Sequence, residues 1–431
     1  LFKKNLINFI IIAVPLNSIK LNWVTPAKEF FNLDLVEDIT NPTLFKWNGK
    51  APNDIKGIVT TYSSMANWPD PYKILITNNK VLFVPDEVHR CSEEKKWGNV
   101  VNDLFDDTAD VIAVTGTDFR SDENKISFLN YSSDGRVEAD IKYNYRQGLE
   151  DKILRPINFI FINGNQTWLE GEKTITADFN EKLDKQGRSK LLRTALEVLE
   201  GGVIDKMILE MNKQLDFQRR HQFVNAKGLF FAMNQAHARK IARRIKILTG
   251  ENSFVAITDN KTTARQLNNF NDSYYKFCVS VRQISEGFNS PNVCCIGWAT
   301  NIKKEGPFRQ GISRGTRRIY GIDDIYQNTT VYLPQDGTFK KYAEEYEKDK
   351  AHYLSLEKEK SKIKGGGPKG SSSFRPLNSE GYIDLIVRKN LTSLIPVNEN
   401  RKDRTISAKT KEILTRKEEK DLISKKINHL V

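Results

Sequence analysis

Short apolar runs rich in Ile and Val recur along this chain, each followed by a longer segment with helical spacing of its apolar positions. The clearest runs are Phe9–Val14, Gly57–Thr60, Lys80–Val84, Val111–Val114, Gly228–Ala232, Phe277–Val281 and Val293–Trp298. Runs without polar alternation suit strands buried on both faces, and helices between them suit a parallel sheet. The expected class is α/β. The strands form two groups, one ending near Tyr145 and one running from about Lys227 to Pro334. Between them, the charged stretch Asp178–Gln222 carries Leu191, Leu192, Leu196, Val198 and Leu199 and reads as helices.

With 431 residues the chain exceeds one compact core. The expected division is residues 1–150 as a first domain, 151–226 as a connecting helical segment and 227–335 as a second domain. A solvated charged helix over 336–364, a flexible GGGPKGSSS linker over 365–373 and a basic, helical C-terminal tail over 374–431 follow. The apolar stretch Leu6–Leu16 follows Lys3 and Lys4 but is too short to span a bilayer, which takes about 20 residues. It lacks a good cleavage site and reads as a buried strand.

Charge narrows the partners. There are 67 Lys and Arg against 54 Asp and Glu, a formal net charge of +13. Such an excess favours a polyanion, with nucleic acid ahead of a membrane surface. Cys91, Cys278, Cys294 and Cys295 form no C-x-x-C pair, which argues against a zinc site or disulfide framework and for a reducing cytoplasm.

The strand ends carry the chemistry. Lys80–Val84 runs into Pro85-Asp86-Glu87-Val88-His89. Two carboxylates at the C-terminal end of a parallel strand lie where α/β sheets bind ligands. An Asp-Glu pair also stabilises a helix N-terminus by charge alone. Val111–Val114 then ends in Thr115-Gly116-Thr117-Asp118-Phe119-Arg120. Together these segments resemble the D-E-A-D/H and T-A-T/T-G-T motifs of superfamily-two helicases, with Asp118 where that family usually has Pro.

Other segments extend the resemblance in the family's order. Ile10–Val14 with Pro15, Ser18 and Trp23 looks like motif Ia, and Gly57–Tyr62 like motif Ib. Lys227–Met233 followed by Asn234 and His237 resembles motif IV. Ser280–Pro291, containing Ser285, Gly287 and Asn289, resembles motif V, with Asn289 in place of the usual Asp. Phe308–Arg318 resembles motif VI, with Gln310, Arg314 and Arg317, the two arginines being placed on one helical face.

The resemblance covers about residues 7–335. It implies two RecA-like parallel-sheet domains in tandem, the first N-terminally truncated, that hydrolyse ATP with Mg²⁺ and move on nucleic acid. Asp86 then holds Mg²⁺ through water, Glu87 orients the attacking water, and Arg314 and Arg317, with Gln310, meet the phosphates. His89, Gly287 and Asn289 lie at the nucleotide, while Thr115 and Thr117 couple the domains. Pro15, Ser18, Thr60, Thr61, Asn234, His237 and Ser285 touch nucleic acid. Taken alone, Thr60 and Thr61 are also read as strand-end caps, and His237 as a capping or packing residue. The Arg120-Ser-Asp, Tyr143-Asn-Tyr145 and Arg155-Pro156 layout is most similar to phage and restriction-enzyme helicases, which favours DNA over RNA and implies no membrane. The family's G-x-x-x-x-G-K-[ST] loop is not found among residues 1–431, and its expected place is upstream of Leu1. A degenerate nucleic-acid binder without ATP turnover, or the motor subunit of a restriction complex, are the alternatives.

Overall fold

The computed structural model describes residues 1–37, 47, 52–88, 95–105, 110–116, 128–133, 137–257, 270–271, 273–281, 290–362 and 383–384. The C-terminal tail and linker of the sequence reading, apart from residues 383–384, lie outside them. Two largely parallel α/β sheets follow one another along the chain.

The first sheet contains β1 (Phe9–Val14), β2 (Leu35–Glu37), β3 (Gly57–Thr61), β4 (Val81–Pro85) and β5 (Asp110–Val111). Its order is β2-β3-β1-β4-β5, every pairing being parallel. Helix α1 (Leu21–Phe31) follows β1, α2 (Tyr62–Asn67) and α3 (Pro69–Asn78) follow β3, and α4 (Lys95–Phe105) precedes β5. β1 and β3 approach closely at Gly57, where a Cβ would stand 2.4 Å from the Ile10 carbonyl oxygen. The expected strand Val111–Val114 is shorter than its apolar run: pairing covers Asp110–Val111, and Val114 adds one bridge to Asp86. Ile112 and Val114 are exposed, as an edge strand permits.

A two-stranded ribbon, β6 (Asn130–Tyr131) with β7 (Val137–Glu138), and a short helix α5 (Tyr145–Glu150) lead to the second sheet. Its members are β8 (Ile157–Ile162), β11 (Lys227–Ala232), β12 (Ser253–Ala256), β13 (Phe277–Val281), β14 (Val293–Ala299) and β15 (Thr329–Pro334). Between β8 and β11 come the hairpin β9 (Gln166–Glu170) and β10 (Lys173–Ala177), then α6 (Lys185–Ala195) and α7 (Val203–Arg220). Helix α8 (Gln235–Thr249) follows β11, α9 (Glu305–Ser313) follows β14, and α10 (Gly337–Lys362) follows β15. The order is β12-β13-β11-β14-β15-β8, with the two residues of β16 (Ile383–Asp384) antiparallel outside β8.

Strands β11 to β15 thus repeat the order of β1 to β5: the first strand central, the second and third to one side, the fourth and fifth to the other. This repeated parallel order is the tandem RecA-like α/β class expected from the sequence. In each sheet the connections from the first and fourth strands leave in opposite directions. Ligands of open α/β sheets bind outside the carboxyl ends at such a switch point.

Two elements differ from the sequence expectation. Residues 157–162, assigned to the connecting segment, form a strand of the second sheet, because Ile157, Phe159, Phe161 and Ile162 are buried against β15 and the adjoining core. Helix α10 is not simply solvated: Phe339, Ala343, Tyr346 and Lys350 are buried. The Lys350 ammonium donates to the Ile157 carbonyl at 2.8 Å and to Glu347 at 2.7 Å, which compensates its burial. Among the described residues no helix is long and apolar enough to cross a membrane.

Candidate nucleotide and nucleic-acid sites

At the carboxyl end of β4 the chain passes from Pro85 into Asp86 and Glu87, both half-buried. Asp86 is fixed from several directions. Its amide donates to the Ala13 carbonyl at 2.8 Å, and its carbonyl accepts the Tyr62 hydroxyl at 2.7 Å. Its carboxylate accepts the Trp23 indole N–H at 2.8 Å. Burial raises the Asp86 pKa above the ordinary aspartate value, while the Trp23 N–H and the Glu87 amide, both donating to the charged form, oppose the rise. Glu87 adopts a left-handed backbone with φ 51°. A non-glycine residue there carries strain, and such residues concentrate at functional sites.

Neither Trp23 nor Tyr62 stood out as a partner of Asp86 in the sequence. Each was legible only as the aromatic of its strand-end motif, because 63 and 24 residues separate them from Asp86.

The loops proposed for nucleic acid divide. Pro15 is buried at the end of β1, and the Ser18 side chain lies outside the described residues. Thr60 is fully buried, its hydroxyl 2.7 Å from the Tyr72 hydroxyl. Thr61 caps α2, accepting the Ser64 amide at 3.1 Å. Both hydroxyls are thus used in the packing and capping roles that a strand end also allows. Asn234 is exposed and caps α8 by accepting the His237 amide at 2.9 Å. The His237 side chain is likewise used in packing. Its ring is buried, with Nε2 2.7 Å from the Leu196 carbonyl and Nδ1 accepting the Met233 amide at 3.2 Å. Burial lowers its pKa.

Thr115 is half-buried just past Val114; Thr117, His89, Ser285, Gly287 and Asn289 lie outside the described residues.

The arginine segment differs from the expected helix face. Helix α9, which carries the half-buried Gln310, ends at Ser313. The amides of Arg314, Gly315 and Thr316 bond three residues back, tightening the last turn. Gly315 packs where a Cβ would lie 2.7 Å from the Thr329 methyl group. Arg317 then bridges Leu154 in antiparallel fashion, and the Arg318 amide donates to Ile153 at 2.9 Å. Arg314 and Arg317 are thus set by a turn and a β-bridge. Arg317 presents to solvent, yet desolvation lowers its pKa.

Arg155 holds this turn. It is completely buried, and its guanidinium donates to the carbonyls of Val293 at 2.6 Å, Gly315 at 2.5 Å and Pro291 at 3.2 Å. Its own amide reaches the Thr316 carbonyl at 2.6 Å. Burial lowers the Arg155 pKa to about 10. One side chain therefore joins the end of the motif V segment and the start of β14 to the turn between Arg314 and Arg317.

Among the described residues no group of three His, Cys, Asp or Glu side chains is placed to hold a metal ion. Adjacent carboxylates at a strand end instead suit Mg²⁺, which keeps several waters and takes one or two carboxylates with substrate phosphates.

No family model matches the chain. It is 27% identical over 388 residues to Uncharacterized protein Rv2917 of Mycobacterium tuberculosis, an alignment covering 88% of this chain and 60% of that protein. The chain thus spans about 60% of that relative's length. Among solved structures it is similar to S. cerevisiae Dbp5 bound to RNA and ADP BeF3, at TM-score 0.46 and 10% identity, covering 80% of this chain and 76% of that one. It is also similar to Mycobacterium smegmatis helicase Lhr bound to ssDNA and AMP-PNP, at TM-score 0.42 and 12% identity, covering 77% of this chain and 40% of that one.

Proposed function

We propose that this chain is the motor core of a superfamily-two nucleic-acid helicase or translocase acting on DNA. The observation that carries the reading is the acidic pair Asp86–Glu87 at the switch point of the first sheet, with Asp86 anchored by Trp23, Tyr62 and Ala13. In this reading Asp86 would hold Mg²⁺, and Glu87 would orient and polarise the water that attacks the γ-phosphate. Arg314 and Arg317 approach the same nucleotide from the second sheet and stabilise the charge that develops on it. Bound Mg²⁺ supplies neutralisation of the phosphate oxygens. His89, Gly287 and Asn289 line the nucleotide, and Thr115 and Thr117 link its state to the second domain. Pro15, Ser18, Asn234 and Ser285 meet the backbone of one DNA strand without reading its sequence.

Binding of a fluorescent single-stranded oligonucleotide, followed against salt, tests the nucleic-acid half. Affinity is expected to fall with a log–log slope of about −0.7 per phosphate neutralised. Asn234→Asp keeps a good helix cap but sets a negative charge beside phosphate, and is expected to weaken binding about tenfold. A chain cut before Gly365 is expected to keep salt-sensitive binding. Loss of all binding on that cut would assign it to the basic tail and sink the proposed surface.

A further inference from the structure

We propose that Trp23 and Tyr62 are positioning residues that transmit nucleic-acid binding at the first sheet's strand-end loops to the Asp86 carboxylate. The inference rests on the reading of Asp86 as the Mg²⁺-holding residue. Its basis is the convergence of two motif segments on one residue. Helix α1 begins six residues beyond Pro15, and the indole N–H of its third residue, Trp23, donates to Asp86 Oδ2 at 2.8 Å. Tyr62 directly follows the last residue of β3, is fully buried, and donates its hydroxyl to the Asp86 carbonyl at 2.7 Å. The Asp86 amide is bonded to Ala13, two residues before Pro15.

Each bond has a distinct consequence. The indole nitrogen is a donor only, so its partner must remain an acceptor, and its bond to an ionised carboxylate is charge-assisted. It commits one Asp86 oxygen and limits the directions left for the other. The Tyr62 bond holds the backbone from which that carboxylate projects. A shift of α1 on binding a DNA strand at the β1–α1 loop must therefore carry Asp86 with it or break a bond to it. The buried Tyr62 ring cannot yield to such a shift by swinging into solvent.

The six tryptophans of the chain provide the readout. The probes are MnCl₂ and a short oligothymidylate, and the protein is the full chain. Trp23→Phe removes the indole N–H while keeping an aromatic ring, and identifies the Trp23 resonance among the indole signals in an NMR spectrum. Mn²⁺ is expected to broaden that resonance first, and Asp86→Asn to abolish the effect. The oligonucleotide is expected to shift the Trp23 resonance and to raise Mn²⁺ affinity, read by electron paramagnetic resonance, about fivefold or more. Trp23→Phe and Tyr62→Phe are expected to lose that coupling while both ligands still bind.

If both ligands bind, the Trp23 resonance ignores the oligonucleotide and coupling survives in both variants, the two aromatics merely support the fold and the proposal is overturned. If Mn²⁺ leaves the Trp23 resonance unbroadened, or broadens it equally in Asp86→Asn, the metal-holding reading of Asp86 fails and the inference fails with it. The resonance measurements on the unaltered chain decide the matter even if one aromatic variant does not fold.

Discussion

Asp86 is held where its charge is costly. Burial raises its pKa more than its hydrogen bonds lower it, so the ionised form is penalised in the folded state. A carboxyl group with a raised folded pKa contributes stability that is fully present below the unfolded value, about 3.9, and lost as pH rises through the folded one. Asp86→Asn removes the penalty and can still accept the Trp23 N–H. Its Tm is therefore expected to exceed that of the unaltered chain at pH 7, with the difference vanishing in acid. A lower Tm at neutral pH would mean that the charge itself supports the fold. His237 carries the opposite dependence. Its pKa is lowered by burial, so its contribution to stability is present above the unfolded value, about 6.5, and is lost as pH falls below it. Denaturant midpoints measured on either side of that value should fall less in His237→Gln than in the unaltered chain.

At the scale of elements, buried parallel strands were legible because their apolar runs have no polar alternation. Strand β8 escaped that reading since its run, INFIFI, stands apart from the second group and pairs with residues of β15 that lie 172 positions further along the chain. The end of α9 was not legible either: the spacing of Arg314 and Arg317 suits a helix face, whereas the turn is held by distant partners, with Gly315 packed on Thr329, Arg317 bridged to Leu154 and the Arg155 guanidinium on the Gly315 carbonyl. Arg155→Met tests the clamp. It leaves buried carbonyls at Val293 and Gly315 with fewer donors, each costing about 1–3 kcal/mol where no donor remains. It also removes a buried cation, which offsets part of that loss. The expected net effect is destabilisation by about 2 kcal/mol or more, with faster amide exchange concentrated at residues 314–318. Exchange rising evenly over the second sheet would show general support rather than a local clamp.

For the whole molecule, the acidic pair and its strand were readable from local pattern, whereas the bonds that aim Asp86 were not, because they join residues distant in sequence. The hydroxyls of Thr60 and Thr61 show the converse: a motif-like position whose side chain is used inside the fold. What the two sheets do together is a question of turnover. The most direct measurement is single-stranded-DNA-stimulated ATP hydrolysis by a chain in which a G-x-x-x-x-G-K-[ST] loop precedes residues 1–431, compared with residues 1–431 alone. The loop-bearing chain should hydrolyse ATP only with DNA present, and the shorter one should not turn over. Glu87→Gln should lower kcat by about 10²–10⁴ at unchanged DNA affinity, and Arg317→Ala by about 10³ or more. DNA-stimulated hydrolysis that survives both Glu87→Gln and Arg317→Ala would show that these residues do not form the motor site.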